Sequence, residues 1–413
     1  MAKTPSKSTK TASRTYDVVL YGATGFVGRQ TAAYFANYQG LPKGFQWAVA
    51  GRSESKLQAV LKECGANGAG ILVAEAHDAD AMDALARSAK VVLSTAGPFA
   101  LYGSTLVEAC VRNGTHYVDI TGETPWVRGL IDRHHTQAQS TGTRIIPMCG
   151  FDSIPSDISA FLAQQAMQEQ YGEKCVSVKT AFSVRGGFNG GTLASALNLV
   201  AKGEADIAAN PFLLNPAGTE PDNVSKHTDV VLPRRDADFS AWLGPFFMAV
   251  ANTRVVRRSA ALLGYGKDFS YQEYLRFGRG PVAALASTAV SAGSVFAQIA
   301  LKSSAVVSLA TKLAPPPGSG PSEESMNNGS FRCLWVGKSD SGRIVRGVVA
   351  DKGDPGNRAT TKMVCEAALA LALQTEALPG GAKGGGVLTP ASGLGQVLVD
   401  RLRKAGMTLQ VDA

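Results

Sequence analysis

The sequence predicts an α/β fold, a doubly wound parallel sheet of Rossmann type with a second domain behind it, and three observations predict it. Short apolar runs alternate with amphipathic stretches from residue 16 to residue 150. The first run ends in Gly22-x-x-Gly25-x-x-Gly28, the spacing of a tight strand-to-helix turn. After Gly150 the alternation stops, and 177–187 patterns like an antiparallel strand with one wet face.

The first strand is the run 17–21, and its helix begins inside the glycine pattern and continues as RQTAAYFANY. A second strand ends at Arg52, after which Ser53 caps a helix that lines up Leu57, Val60 and Leu61 on one face. A strand at 70–74, a helix at 80–88 and a strand at 90–95 follow, the last running into AGPF. A helix at 104–113, a strand at 117–120, a helix at 126–140 and a strand at 144–148 complete the unit. Farther on, 331–336 and 343–350 pair as strands and 359–374 is helical. A last helix starts at Thr389 as N-cap with Pro390 in its first turn, and Gly406 stands just past its end. The expected division is a basic tail over 1–14, a dinucleotide domain over 15–150, a substrate domain over 151–350 and C-terminal helices over 351–413.

Composition narrows the function classes. With 45% hydrophobic and 18% charged residues the chain is neither disordered nor a multi-span membrane protein. The net charge of +8 falls to +4 once Lys3, Lys7, Lys10 and Arg14 of the acid-free start are set aside, which removes the case for nucleic acid. That start has no apolar core segment, so it reads as a solvated tail on a cytoplasmic protein rather than a signal peptide. The six cysteines lie far apart without paired spacing, so reduced thiols and no structural zinc are expected.

The glycine pattern carries the strongest chemical signal. Side chains at Gly22, Gly25 and Gly28 would block the turn, the approach of a pyrophosphate and the packing of helix on strand, while backbone amides from Thr24 to Gly28, through Phe26 and Val27, face the phosphates. An NAD site would put an acid at the end of the second strand. This sequence has Ala50-Gly51-Arg52-Ser53, a guanidinium and a hydroxyl suited to a 2′-phosphate, so NADP(H) is the expected cofactor. Asp78, past the third strand, either meets the adenine edge or caps a helix. Ser94, Thr95, Ala96, Gly97 and Pro98 leave the fourth strand at the carboxyl edge, where they should run beside the nicotinamide ribose.

Eight blocks in order carry a family resemblance: VVLYGATGFVGR with AGR at 50–52, STAGPFALYG at 94–103, THYVDITGE at 115–123, GFDSIPSD at 150–157, GGT at 190–192, GSGPSEE at 318–324, DPGNRATTKM at 354–363 and GGVLTPASGLG at 385–395. Together they resemble the saccharopine dehydrogenase-like oxidoreductases, and more narrowly the branch of trans-acting enoyl reductases. The resemblance implies an NADP-binding Rossmann domain, a second α+β domain and a C-terminal segment packing back on the first. It also implies service to a polyketide synthase or acyl carrier that lacks its own enoyl reductase. One departure is DPGN at 354–357, where the family pattern has DPGY.

Reduction of an enoyl thioester needs donors for the thioester oxygen and a proton for the α carbon. Tyr102 and Tyr117, near the ends of the fourth and fifth strands, are candidates, with core packing as the alternative. Asp119, Glu123, Asp152, Ser153 and Asp157 cluster after strands five and six and either relay protons or cap helices, with Asp152 the catalytic candidate among them. Gly190-Gly191-Thr192 offers a bare helix start. The uncharged stretch 280–301 is expected as a helix buried in the second domain or over an acyl tunnel, since its Ala, Ser and Gly content makes membrane insertion marginal. Peripheral contact with lipid through this face and Arg254, Arg257 and Arg258 is the alternative, and alone these three read as a solvated helix face. The leading expectation is an NADPH-dependent reductase of a lipid-like or carrier-bound enoyl or carbonyl substrate. A saccharopine-type imine reductase, and an NADP-binding protein without turnover, remain the alternatives.

Overall fold

The computed structural model describes residues 14–186, 200–301, 303–313 and 318–412. Six strands of the first part, β1 (Tyr16–Tyr21), β2 (Trp47–Gly51), β3 (Gly70–Val73), β4 (Ala89–Ser94), β5 (His116–Asp119) and β6 (Arg144–Ile146), form a parallel sheet in the order 6-5-4-1-2-3. The apolar runs of β1 and β4 are buried along nearly their whole length, as a sheet covered by helices on both faces requires. Helices Phe26–Ala36, Glu54–Glu63, Ala79–Ser88, Ser104–Asn113 and Thr124–Thr141 make the crossovers.

A second seven-stranded sheet holds β7 (Ser177–Arg185), β8 (Arg234–Asp236), β9 (Ala241–Pro245), β10 (Ser270–Gly278), β11 (Ser330–Lys338) and β12 (Ile344–Lys352), with β14 (Thr408–Val411) at its far edge. Its order is 14-12-11-7-10-9-8, and only β7 and β10 run parallel. Helix Ile154–Tyr171 leaves the end of β6 and packs on β11 and β12, so one continuous core joins the two sheets.

The C-terminal segment returns to the first sheet, where helix Thr360–Leu373 packs on β4, β5 and helix Phe26–Ala36 and β13 (Gly386–Val387) adds a seventh parallel strand beside β6. It does not stop there. Helix Pro390–Lys404 begins in a capping box in which Thr389 and Ser392 exchange hydrogen bonds, and β14 then pairs with β12 of the second sheet. The segment therefore laces both sheets together.

Three expectations are corrected here. Arg14 is no part of a solvated tail, because its guanidinium donates to Thr115 Oγ1 at 2.7 Å and to the carbonyls of Asn113, Gly114 and Ala89. Arg254, Arg257 and Arg258 on helix Ala249–Leu263 are fully buried rather than solvated: Arg254 pairs with Asp229, Arg257 donates to the carbonyls of Pro211 and Tyr271, and Arg258 donates to those of Leu214 and Val387. Backbone carbonyls left over by irregular segments take up these cations. Helix Gly280–Ala300 is not buried either, for of its residues only Ala283, Ser287 and Ser291 are buried, while it packs beside β9 and β10 of the second sheet. The proposed helix start at Gly190-Gly191-Thr192 lies outside the described residues.

Candidate active site

The loop between β1 and helix Phe26–Ala36 shows what each glycine of the pattern does. Gly22 has φ +87°, and a Cβ there would come within 2.8 Å of the Ala96 backbone nitrogen. A Cβ on Gly28 would sit 2.2 Å from the Gly22 carbonyl, so helix and turn could not approach. A Cβ on Gly25 meets only the Gly22 oxygen, at 3.3 Å. A side chain at position 25 would therefore meet little of the fold itself. Gly25 is also the N-cap and supplies no side-chain cap, and the first bond of the helix ladder runs from the Arg29 amide to the Gly25 carbonyl. The amides of Phe26, Val27 and Gly28 point out of the helix start, the arrangement that receives an anion.

Neighbouring loops frame this cradle. Thr95 is held on β1, its amide 2.9 Å from the Tyr21 carbonyl and its hydroxyl 3.2 Å from that of Gly22. Ser94 Oγ accepts from the Ala96 amide at 3.4 Å, and the Gly97–Pro98 peptide is cis. Arg52, just past β2, keeps 75% of its side chain exposed and lies 4.0 Å from Glu75. Ser53 begins helix Glu54–Glu63 without spending its hydroxyl on a cap. Asp78 does spend its carboxylate, accepting from the amides of Asp80 and Ala81, so its observed role is to cap helix Ala79–Ser88.

The carboxylates beyond β5 and β6 are mostly committed to the fold. Asp119 Oδ1 accepts from the amides of Thr121 and Met148. Glu123 accepts from the amides of Phe99 and Ala100, capping the short helix Phe99–Tyr102 from outside. Asp157 accepts from the Ala391 amide and so fastens helix Pro390–Lys404. Ser153 begins helix Ile154–Tyr171 with its hydroxyl buried and without a hydrogen bond. Burial pushes Asp119, Asp152 and Asp157 up to about 7. Hydrogen bonds oppose that rise in Asp119 and Asp157, whereas on Asp152 burial acts alone.

Asp152 stands at the junction of the two sheets, its Oδ2 3.9 Å from where a Cβ on Gly122 would lie. The adjoining Phe151 packs on Phe331 (5.1 Å), Phe182 (5.9 Å) and Phe246 (6.4 Å) of the second domain, and Phe247 continues this aromatic row to the surface.

The tyrosines do not join Asp152. Tyr117 lies wholly inside the core on β5 with its hydroxyl turned to Asp119 and Ser94, and burial raises it well above its ordinary range. An inward-pointing strand residue has no path to a ligand at the sheet edge. Tyr102 is partly exposed, but its ring rests 5.9 Å from that of His77, past the end of β3, which is the adenine side of a dinucleotide fold.

Comparison with known proteins follows the same outline. Residues 18–146 match the saccharopine dehydrogenase NADP binding domain. A chain of Mycobacterium tuberculosis provisionally named a trans-acting enoyl reductase is 38% identical over 418 residues, covering 96% of this chain and 97% of its own. The trans-acting enoyl reductase of Mycobacterium bovis is 36% identical over 420 residues, covering 96% and 98%. The chain belongs to the saccharopine dehydrogenase-like oxidoreductases, in their trans-acting enoyl reductase branch. Apo saccharopine dehydrogenase (L-Glu forming) of Saccharomyces cerevisiae shares the fold, with a TM-score of 0.53 at 13% identity over 96% of this chain and 99% of that one.

As a member of this family the protein is an NADP-dependent oxidoreductase. The bare Gly25 and the outward amides of the helix start fit a pyrophosphate, and the exposed guanidinium of Arg52, loosely paired with Glu75, fits the further phosphate that distinguishes NADP(H). Residue 357, the point of departure from the family pattern, is a fully buried asparagine whose amide donates to the Asp354 carboxylate. Sequence reasoning missed His77, the aromatic row beside Asp152, and the turn at Gly320, which packs directly on Phe26. His77 could have been suspected from its place beside Asp78. The other contacts join residues far apart in the chain and leave no local pattern.

Proposed function

We propose that this protein reduces the C=C bond of an enoyl thioester, with Asp152 giving the proton to the α carbon. The single observation that carries the reading is the carboxyl of Asp152, which alone in its cluster is left to burial and, raised to about 7, is part-protonated near neutral pH. Bound NADPH supplies the hydride. Phe26, Val27 and Gly28 bind its pyrophosphate through backbone amides, Arg52 and Ser53 take the 2′-phosphate, and Thr95 to Pro98 run along the nicotinamide ribose. His77 and Tyr102 flank the adenine. Phe151 and its aromatic neighbours exclude water from the reacting carbons and favour a long acyl chain.

A saccharopine-type substrate carries several carboxylates and needs cationic clamps. The buried arginines of the second domain are spent on Asp229 and on backbone carbonyls, which favours the apolar acyl chain. The name borne by the relatives supports action in trans on an acyl group held by the carrier of a polyketide synthase.

The test is NADPH oxidation by the purified chain with enoyl thioesters of increasing length, beside saccharopine and its imine precursors. Turnover on the thioesters alone is expected. Tight NADPH binding with no thioester turnover, or turnover on the amino-acid substrates, would overturn the reading.

A further inference from the structure

Helix Gly280–Ala300 is amphipathic the wrong way round for a soluble protein. At 100° per residue, Val282, Leu285, Ala289, Ala292, Phe296 and Ile299 fall on one stripe, and Ala283, Ser287 and Ser291 fall on a stripe roughly opposite. The small polar stripe lies on the second sheet, where the Ser287 carbonyl is 3.5 Å from where a Cβ on Gly244 would lie. The large apolar stripe faces away, with Val282 79%, Leu285 72%, Phe296 72% and Ile299 63% exposed. Beyond Ser291 no residue of the helix is buried, so its last turns project past the sheet. Helix Ser304–Leu313 extends the same apolar character, with Val306 and Leu309 exposed. Contiguous apolar surface of this extent marks a contact that something covers.

Charge identifies the cover. Between Glu273 and Glu323 the chain contains no acidic residue and four basic ones, and of these Arg279 and Lys312 are exposed at the ends of the two helices. Two copies meeting through this face would bring like charges together in a low-dielectric contact, which opposes self-association. An anionic headgroup layer meets the same pattern with attraction at the rim and hydrocarbon under the stripe. We propose that the helices Gly280–Ala300 and Ser304–Leu313 form an interfacial docking surface for an anionic lipid bilayer, with the first helix lying in the plane of the membrane. The helix is long and apolar enough to cross a bilayer, but its serine stripe is held on the sheet, which fixes it at the surface instead. The inference does not depend on the reductase reading and replaces the buried arginines by Arg279 and Lys312 as the basic partners of the lipid.

The experiment is co-sedimentation of the full chain with vesicles of phosphatidylcholine containing phosphatidylglycerol, and with vesicles of phosphatidylcholine alone. Binding to the anionic vesicles that weakens with salt and is released by alkaline carbonate is expected. The triple variant L285S/F296S/I299S should bind at least about tenfold more weakly, since three large exposed side chains bury more than a factor of ten requires. The double variant R279E/K312E should lose the preference for anionic lipid. NADPH affinity should stay unchanged in both, which certifies the fold. Absence of binding to anionic vesicles, equal binding by the triple variant, resistance to carbonate, or a lipid-free dimer that the triple variant dissolves would each overturn the proposal.

Discussion

The phosphate cradle and the carboxylate cluster lie at the edge of the same sheet, yet they announce themselves in opposite ways. In the cradle the fold withholds side chains: Gly25 stays bare and the helix-start amides keep no partner within the helix. In the cluster the fold turns the carboxylates to its own use, with Asp119, Glu123 and Asp157 each accepting from backbone amides. Asp152 is the exception. A polar group is informative about function when the surrounding structure gives it nothing to do.

The largest effect is expected at that exception. Asp152→Asn should lower turnover by about 10²–10⁴, the range of a general acid, without changing NADPH affinity. Because its pKa is pushed up to about 7, kcat/KM in the parent should fall as pH rises above that value, and the variant should lack this limb. Stability responds with the opposite benefit. The folded state holds the Asp152 proton to about 7 while the unfolded chain releases it near 4, so folding binds a proton in between and stability falls across that window as pH rises. Removing the carboxyl should therefore stabilise the protein at pH 8 and leave it unchanged at pH 4, as thermal melts at the two pH values will read. A variant that keeps full turnover would put Asp152 among the structural carboxylates and erase the contrast.

The next effects probe the cradle. Gly25→Val should weaken NADPH binding by about a hundredfold or more, the worth of two charge-assisted hydrogen bonds, with only a small loss of melting temperature, since φ there is −70° and a Cβ meets the Gly22 oxygen alone, at 3.3 Å. Retained binding in a fluorescence titration would show that the bare position serves packing alone. Arg52→Ala should cost NADPH roughly ten- to a hundredfold and NADH almost nothing, because only the former carries the phosphate assigned to the guanidinium under the proposal. Equal losses would return Arg52 to its partner Glu75 and to a surface role.

What could be read in advance follows the range of the forces involved. The six parallel strands and their helices were legible because each is a local pattern of apolar runs, caps and glycines, and the close approaches that Gly22 and Gly28 allow are written in their spacing alone. The second sheet was harder, since β8 and β9 are short and the pairings of β9 with β10 and of β10 with β7 join strands far apart in the chain. Burial was the least legible property. The Arg254, Arg257 and Arg258 run looks like a wet face because nothing local reveals the carbonyls of Pro211, Leu214 and Val387 that receive it. The stretch 280–301 looks like core for the mirror-image reason, that its apolar residues give no sign of which way they face.

The smallest effect should come from Tyr117→Phe, and it is the sharpest check on the contrast between open and committed groups. Tyr117 has the chemistry of a proton donor and stands on β5 only two residues before Asp119, so sequence position favours it. Its surroundings do not: the ring is fully buried, and the hydroxyl faces a carboxyl that already accepts two backbone amides. Removing that oxygen should change turnover and NADPH affinity by less than about twofold, while stability holds steady or rises slightly, since the buried hydroxyl has no hydrogen-bond partner to lose. If turnover instead collapsed at unchanged affinity, a route for protons from the core of β5 to the sheet edge would have to exist, and commitment to the fold would no longer separate structural groups from catalytic ones.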